Sequence, residues 1–302
     1  MKQHSKALKQ RITRALDRRG ARWLLAAAST WYARRATQKN VAIFYDEFWI
    51  HRVGERYLAD SLTFNYFRSD IRLWGTSQEA YVNDAADYWF WRYTPNAGDV
   101  IIDIGAGVGT DVCAFSREVG PTGRVIALEA HPKTFLGLVK TCQWNRLNNV
   151  VCEQVAVMDK VGALDLQDGD DDKANATAGD NGDRVRVSSV TLDDVCEKYE
   201  IEHIDFLKIN IEGAERWALA GMERSLQITR FIAVACHDFR AQRGDGDRFA
   251  TLNFVKDFLE GRGFYLETRV GDARPYIRDH VHGRRELTFR DSSSLARKVP
   301  AP

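Results

Sequence analysis

The sequence predicts an α/β fold: a mostly parallel, seven-stranded sheet with helices on both faces, preceded by an N-terminal helical and aromatic cap. Three observations predict it. Beyond residue 96, short apolar runs recur at strand length, separated by helical stretches of about 10–15 residues, the spacing of strand–helix–strand units. A glycine-rich turn joins the first of those strands to the first of those helices. Upstream, residues 41–95 are rich in Phe, Trp and Tyr and show no clean repeat.

Residues 1–40 read as a basic amphipathic arm. Leu8, Ile12 and Leu16 recur at helical spacing, Lys9, Arg11, Arg14 and Arg18 lie mostly off that stripe, and Trp23, Leu24 and Trp31 add apolar content. Residues 41–95, with Phe44, Phe48, Trp49, Phe64, Tyr66, Phe67 and Trp74, form helices and short strands capping the main domain, which spans 96–290. Pro95-Asn96-Ala97-Gly98 is the turn between them. Val100 to Ile104 is the first strand, and the helix after it runs from about Thr110 to Val119, where Gly120-Pro121 ends it. Val125 to Leu128 follows, then a helix opened by Pro132 and reaching about Asn148, then a strand from Val150 to Val155. Residues 165–183 hold seven Asp and read as the tip of a β-excursion returning through Val185 to Val190. Thr191 caps the next helix. The remaining strands are Phe206–Ile211, Phe231–Cys236, Phe264–Val270 and Glu286–Phe289, with helices at about 214–226 and 248–261. Residues 291–302 form a loose tail.

Composition bounds the function. With 302 residues, 44% apolar and 28% charged, the chain is ordinary globular material for one large domain or two modest ones, which excludes disorder. No apolar run approaches the ~20 residues of a membrane-spanning helix, and there is no cleavable signal pattern. Five cysteines without a C-x-x-C pair argue against a disulfide framework or zinc ribbon, so a reducing cytoplasm is expected. The net charge of +1 hides an asymmetry: residues 1–40 carry eleven Lys/Arg and one acid, a net +10, leaving the rest of the chain at −9. Such an arm concerns partners rather than fold: either it lies on an anionic membrane surface, near the inner face, or it is a solvated helix docked on the acidic body. Nucleic acid is not expected, because the body is acidic and no recognition motif is present.

The strongest local signal is D-I-G-A-G-V-G-T, Asp103 to Thr110, directly after a strand and before a helix. Glycines there bring backbone close to a ligand at a helix N-terminus. A dinucleotide loop reads G-x-G-x-x-G, whereas this one reads D-x-G-x-G-x-G. Its leading acid suits a ligand with a cationic amino-acid end, with Asp103 meeting the ammonium and sulfonium. Glu129 ends the second strand where a carboxylate grips two ribose hydroxyls. The pair resembles the S-adenosylmethionine (SAM) site of class I methyltransferases; a tight turn with a salt-bridged Asp is the bland alternative. Asp159, after the third strand, either accepts from the adenine amino group or is a solvated loop acid.

A second constellation is Phe206 to Glu215, in which Lys208, Asn210 and Glu212 alternate with Leu207, Ile209 and Ile211. A lysine, an amide and a carboxylate at the C-terminal end of a strand stand where an open α/β sheet carries its chemistry; the alternative is an edge strand with a wet face.

Together, D-I-G-A-G-V-G-T, A-L-E-A-H-P, V-T-L-D-D and L-K-I-N-I-E-G-A-E resemble the FkbM family of SAM-dependent methyltransferases over about residues 96–290. The resemblance implies a Rossmann-like class I fold and O-methylation of hydroxyls on saccharides, glycolipids or polyketide-type metabolites. It implies SAM contacts from Asp103, Gly105, Ala106, Gly107, Gly109 and Thr110, and from Glu129, Ala130 and Asp159. Lys208, Asn210 and Glu212 would then border the reacting centre. Asn210 stands where the family typically has Asp, and Ala235 where a Glu is common, which argues against a catalytic divalent metal. These two departures also leave a SAM-binding protein without turnover as an alternative, beside methylation of a protein side chain.

A sugar hydroxyl is a weak acid, so a general base is expected. His237 is the candidate, with Asp238 orienting it and Glu212 as its rival. His131 shapes the SAM pocket, while His280 and His282 fall in a late loop whose 274–280 stretch either covers the acceptor or is ordinary loop. The aromatic run Tyr88 to Tyr93 packs cap against sheet or stacks on a ligand ring.

Overall fold

The computed structural model describes residues 15–18, 20–61, 75–77, 79–168 and 184–285. Helix α1 (Arg22–Thr37) ends on Gln38, whose positive φ of 57° lets its amide cap Arg34. A three-stranded antiparallel meander follows: β1 (Val41–Tyr45), β2 (Trp49–Val53) and β3 (Arg56–Ser61). Leu25 and Ala33 seat α1 on Val41, Ile43, Trp49 and Val53. Of the expected amphipathic arm the structure describes residues 15–18 and 20–40; in α1 Trp23 and Trp31 are exposed and Leu25 is buried. Leu8 and Ile12 lie outside the described residues, as do Phe64, Tyr66, Phe67 and Trp74. Helix α2 (Glu79–Tyr88) leads into the aromatic run. Tyr93 lies flat on Phe206 at 4.6 Å and Trp89 is buried against His280, so this segment packs cap against sheet.

The main sheet begins with β4 (Val100–Ile104), α3 (Thr110–Val119), β5 (Arg124–Leu128), α4 (Pro132–Asn145) and β6 (Val150–Glu153). Pro132 opens α4 as its sequence position predicts. The short β7 (Ala156–Val157), β8 (Gly162–Gln167) and β9 (Arg184–Val190) form a separate small sheet, so the expected third strand ends at Glu153 rather than Val155. Most of the acidic tip, 169–183, lies outside the described residues. Thr191 and Asp194 form a reciprocal capping box on α5 (Leu192–Lys198). Then come β10 (Ile204–Ile209), α6 (Glu215–Ala220), α7 (Glu223–Gln227), β11 (Thr229–Ala235), α8 (Asp238–Gln242), α9 (Leu252–Glu260), β12 (Tyr265–Thr268), α10 (Pro275–Arg278) and β13 (His280–Arg284). The helix expected over 214–226 breaks at Gly221, where a Cβ would sit 2.1 Å from the Met158 carbonyl.

Seven strands order as β12-β13-β11-β10-β4-β5-β6. Six run in one direction, β13 alone runs antiparallel to both its neighbours, and the order reverses between β4 and β10. This is the doubly wound, Rossmann-like arrangement with a terminal hairpin. Its two faces carry separate cores, one around Ile102, Leu207 and Ile232 and one around Ile101, Phe206 and Ala233. The expected last strand, Glu286–Phe289, lies outside the described residues. The place between β11 and β12 is taken by His280–Arg284, which the sequence reading put in a loop; Gly283 allows that fit, because a Cβ there would come within 2.8 Å of Ile232.

Candidate functional site

A cleft of about 320 Å³ opens at the C-terminal edge of the sheet, where the strand order reverses. Loops after β4, β5, β7 and β10 line it. Of the sequence-predicted residues it brings together Gly105, Ala106, Gly107, Thr110, Glu129, Ala130, Lys208, Asn210 and Glu212. Gly105 and Gly107 adopt φ of +76° and +58°. A Cβ on Gly105 would meet the Asn210 carbonyl at 2.0 Å, so this glycine lets β10 close under the loop; at Gly107 the corresponding space is open. Gly109 instead starts α3 in left-handed backbone and packs toward Leu138, away from the cleft.

Asp103 and Lys208 are in register on neighbouring parallel strands, so their side chains share one face. Lys208 Nζ stands 2.7 Å from Asp103 Oδ1 and donates to the Gly105 carbonyl at 2.7 Å; both side chains are sealed from solvent. Burial pushes the Asp103 carboxyl up to about 6 against the opposing pull of Lys208. Asp103 thus lies beneath the glycine loop, paired with Lys208 and outside the cleft lining. Asp111, in the first turn of α3, does line the cleft, and burial holds its carboxyl above the usual range. Sequence reasoning missed it; its place one residue past Thr110, in the first turn of the helix that follows the glycine loop, was the available signal.

Glu129 accepts from the Gly107 amide at 3.0 Å through Oε2 and from the His131 amide at 2.9 Å through Oε1. Burial raises its carboxyl, and those two amides pull the other way. Two amide bonds leave about two further lone-pair sites on a carboxylate, enough for a vicinal diol. His131 is buried and contributes this amide rather than its ring. The opposite wall is apolar, from Val157, Met158, Leu164 and Leu166. Asp159 is exposed and outside the lining.

The strand alternation expected through residue 212 stops at Ile209. Asn210 presents a buried side-chain oxygen without a partner among the described residues, and Glu212 takes a left-handed φ of 54°. That turn carries Glu212 to His237, whose Nε2 lies 3.3 Å from Oε1, and to Arg240, which bonds Oε2. His237 also reaches Glu215 at 3.6 Å, and its ring stands behind Glu212, outside the cleft lining. Burial lowers its basicity, but the two carboxylates outweigh that and raise its pKa to about 9. His237 thus faces two carboxylates and lies outside the cleft lining, so the structure does not bring the expected base into the cleft. Asp238 does not orient it either; its carboxylate accepts from the amides of Thr251 and Leu252 at the start of α9. Arg240 and His237 hold the Glu212 carboxyl below its ordinary range although burial opposes them. His280 and His282 are buried in β13 and pushed down to about 3 and about 4 by that burial. Arg274 ties the 274–280 segment to Asp87 at the end of α2, away from the cleft.

Residues 103–266 match the Methyltransferase FkbM domain. The chain belongs to the FkbM family. FkbM methyltransferases use SAM as methyl donor, and this chain is a SAM-dependent methyltransferase. It is 26% identical to the 2-O-methyltransferase NoeI of Sinorhizobium fredii over 180 residues, covering 53% of this chain and 72% of that one. It is 28% identical to the 31-O-demethyl-FK506 methyltransferase FkbM of Streptomyces tacrolimicus over 200 residues, 55% of this chain and 73% of that one. It is 23% identical to the hexuronic acid methyltransferase AglP of Haloferax volcanii over 139 residues, 46% of this chain and 56% of that one.

Proposed function

We propose that this FkbM methyltransferase transfers a methyl group to a hydroxyl of a saccharide or glycolipid, with SAM in the cleft between β4 and β10. The observation that carries the donor site is the Glu129 carboxylate, fixed by two backbone amides beside an open-faced Gly107. In this reading Glu129 accepts from both ribose hydroxyls, while Gly105, Ala106, Gly107 and Thr110 pass close to the amino-acid end. Asp111, not Asp103, meets the ammonium, because Asp103 is sealed against Lys208. The apolar wall of Val157, Met158 and Leu166 suits the adenine ring.

Bound SAM supplies an electrophilic methyl on a sulfonium. The protein's task is to aim a hydroxyl at it and receive the proton. The partnerless Asn210 oxygen can accept from the acceptor hydroxyl and orient it. As the acceptor oxygen takes up carbon, its O–H becomes strongly acidic, so even a carboxylate of lowered basicity suffices to receive the proton. Glu212 lines the cleft and takes that role, with His237 and Arg240 as positioning residues.

The name of one relative, a hexuronic acid methyltransferase, supports a saccharide acceptor, and that of another, a 2-O-methyltransferase, supports transfer to oxygen. The FK506 methyltransferase relative favours a second reading, a polyketide-type alcohol. Calorimetry with SAM tests the donor site, and transfer of labelled methyl to oligosaccharides and to macrolide alcohols tests the acceptor. No heat with SAM would overturn the cleft assignment; label on macrolides and never on saccharides would overturn the acceptor.

A further inference from the structure

Helix α1 is docked on one side only. Leu25 and Ala33 bury against the meander, whereas Trp23 and Trp31, two turns apart, are 66% and 65% exposed, and Leu24 is 42% exposed. At about 100° per residue, Trp23, Ala27 and Trp31 form one outward stripe, with Leu24 and Ala28 beside it. Arg34 and Arg35 stand exposed at its C-terminal end, Arg35 over the Trp31 ring at 6.0 Å. Two exposed tryptophans on a helix whose three charges are all basic, Arg22 in the first turn and Arg34 and Arg35 in the last, is the composition of a segment lying in a headgroup layer rather than of a solvated helix. Among the described residues no helix is long and apolar enough to cross a membrane.

Charge selects the occupant of this face. Residues 1–40 are net +10 and the rest of the chain net −9, and within the described part of that segment Arg34 and Arg35 are exposed cations on α1, so an anionic surface attracts the segment to which α1 belongs. We propose that α1 is an interfacial helix that seats this enzyme on an anionic lipid bilayer, with Trp23, Leu24 and Trp31 at headgroup depth and Arg35 facing the lipid anions. This goes beyond the acceptor reading and does not depend on it.

The full chain and a Trp23→Ser/Trp31→Ser variant are sedimented with vesicles of phosphatidylcholine alone or mixed with phosphatidylserine. Binding is expected only to the mixed vesicles, to weaken in about 0.5 M salt as surface charge is screened, and to fall at least about tenfold in the variant. The melting temperature and the heat of SAM binding should stay at the parent values, because both rings are exposed. Equal binding to neutral vesicles, no vesicle binding, or no loss in the variant would each overturn the proposal. A dimer in light scattering that the variant abolishes would give the face to a second copy and overturn it as well.

Discussion

Replacing His237 with Gln removes a cation from between two carboxylates, and the structure fixes both the size and the pH window of the effect. His237 lies 3.3 Å from Glu212 and 3.6 Å from Glu215, with 9% of its side chain exposed. Its pKa is raised from the ordinary 6.5 to about 9, because the carboxylates outweigh the burial that lowers it. That difference corresponds to about 3 kcal/mol of preference for the charged ring in the folded state. A folded-state value above the unfolded one stabilises fully below pH 6.5 and is lost as pH rises through about 9. Urea unfolding at fixed pH from about 6 to about 10 should therefore show the parent losing stability relative to His237→Gln across that window, with a flat difference on either side. Parallel stability curves for parent and variant would refute the cluster as described.

Glu212→Gln keeps the shape of the side chain but cannot take a proton; turnover should fall by about 10² to 10⁴ while SAM affinity holds, measured by single-turnover methyl transfer beside calorimetry. Glu129→Ala should weaken SAM binding by about 1.5–3 kcal/mol, the range for hydrogen bonds to a charged group, and lower the melting temperature as well, because the Gly107 and His131 amides lose their acceptor. The glycines should separate: Gly105→Ala drives a Cβ into the Asn210 carbonyl at 2.0 Å and should yield little folded protein, whereas Gly107→Ala meets open space, costs about 1–2 kcal/mol of backbone strain and loses SAM affinity.

What the sequence makes legible follows from burial. Strands β4, β5, β10 and β11 are covered on both faces and read as apolar runs, and Pro132 and Thr191 announce the helices they begin. Strand β13 has no such signature. His280-Val-His-Gly-Arg284 reads as polar loop, and only Trp89 and Trp91 packing on its histidines, with Gly283 against Ile232, make it a strand. The same limit applies at the site. Spacing locates Asp103 and Glu129 at the ends of adjacent strands but says nothing of depth, so it cannot tell that Lys208 seals the first while two amides display the second. Nor does it show that Glu212 turns through positive φ to meet His237.

The Lys208 bond to the Gly105 carbonyl closes a stretch of 103 residues. A nascent chain emerging from the ribosome completes β4 and its glycine turn long before β10 exists, so the turn waits without its strut through more than a third of synthesis. Ligand uptake is thus a late event, and the heat released on adding SAM gauges how much of a preparation has finished folding.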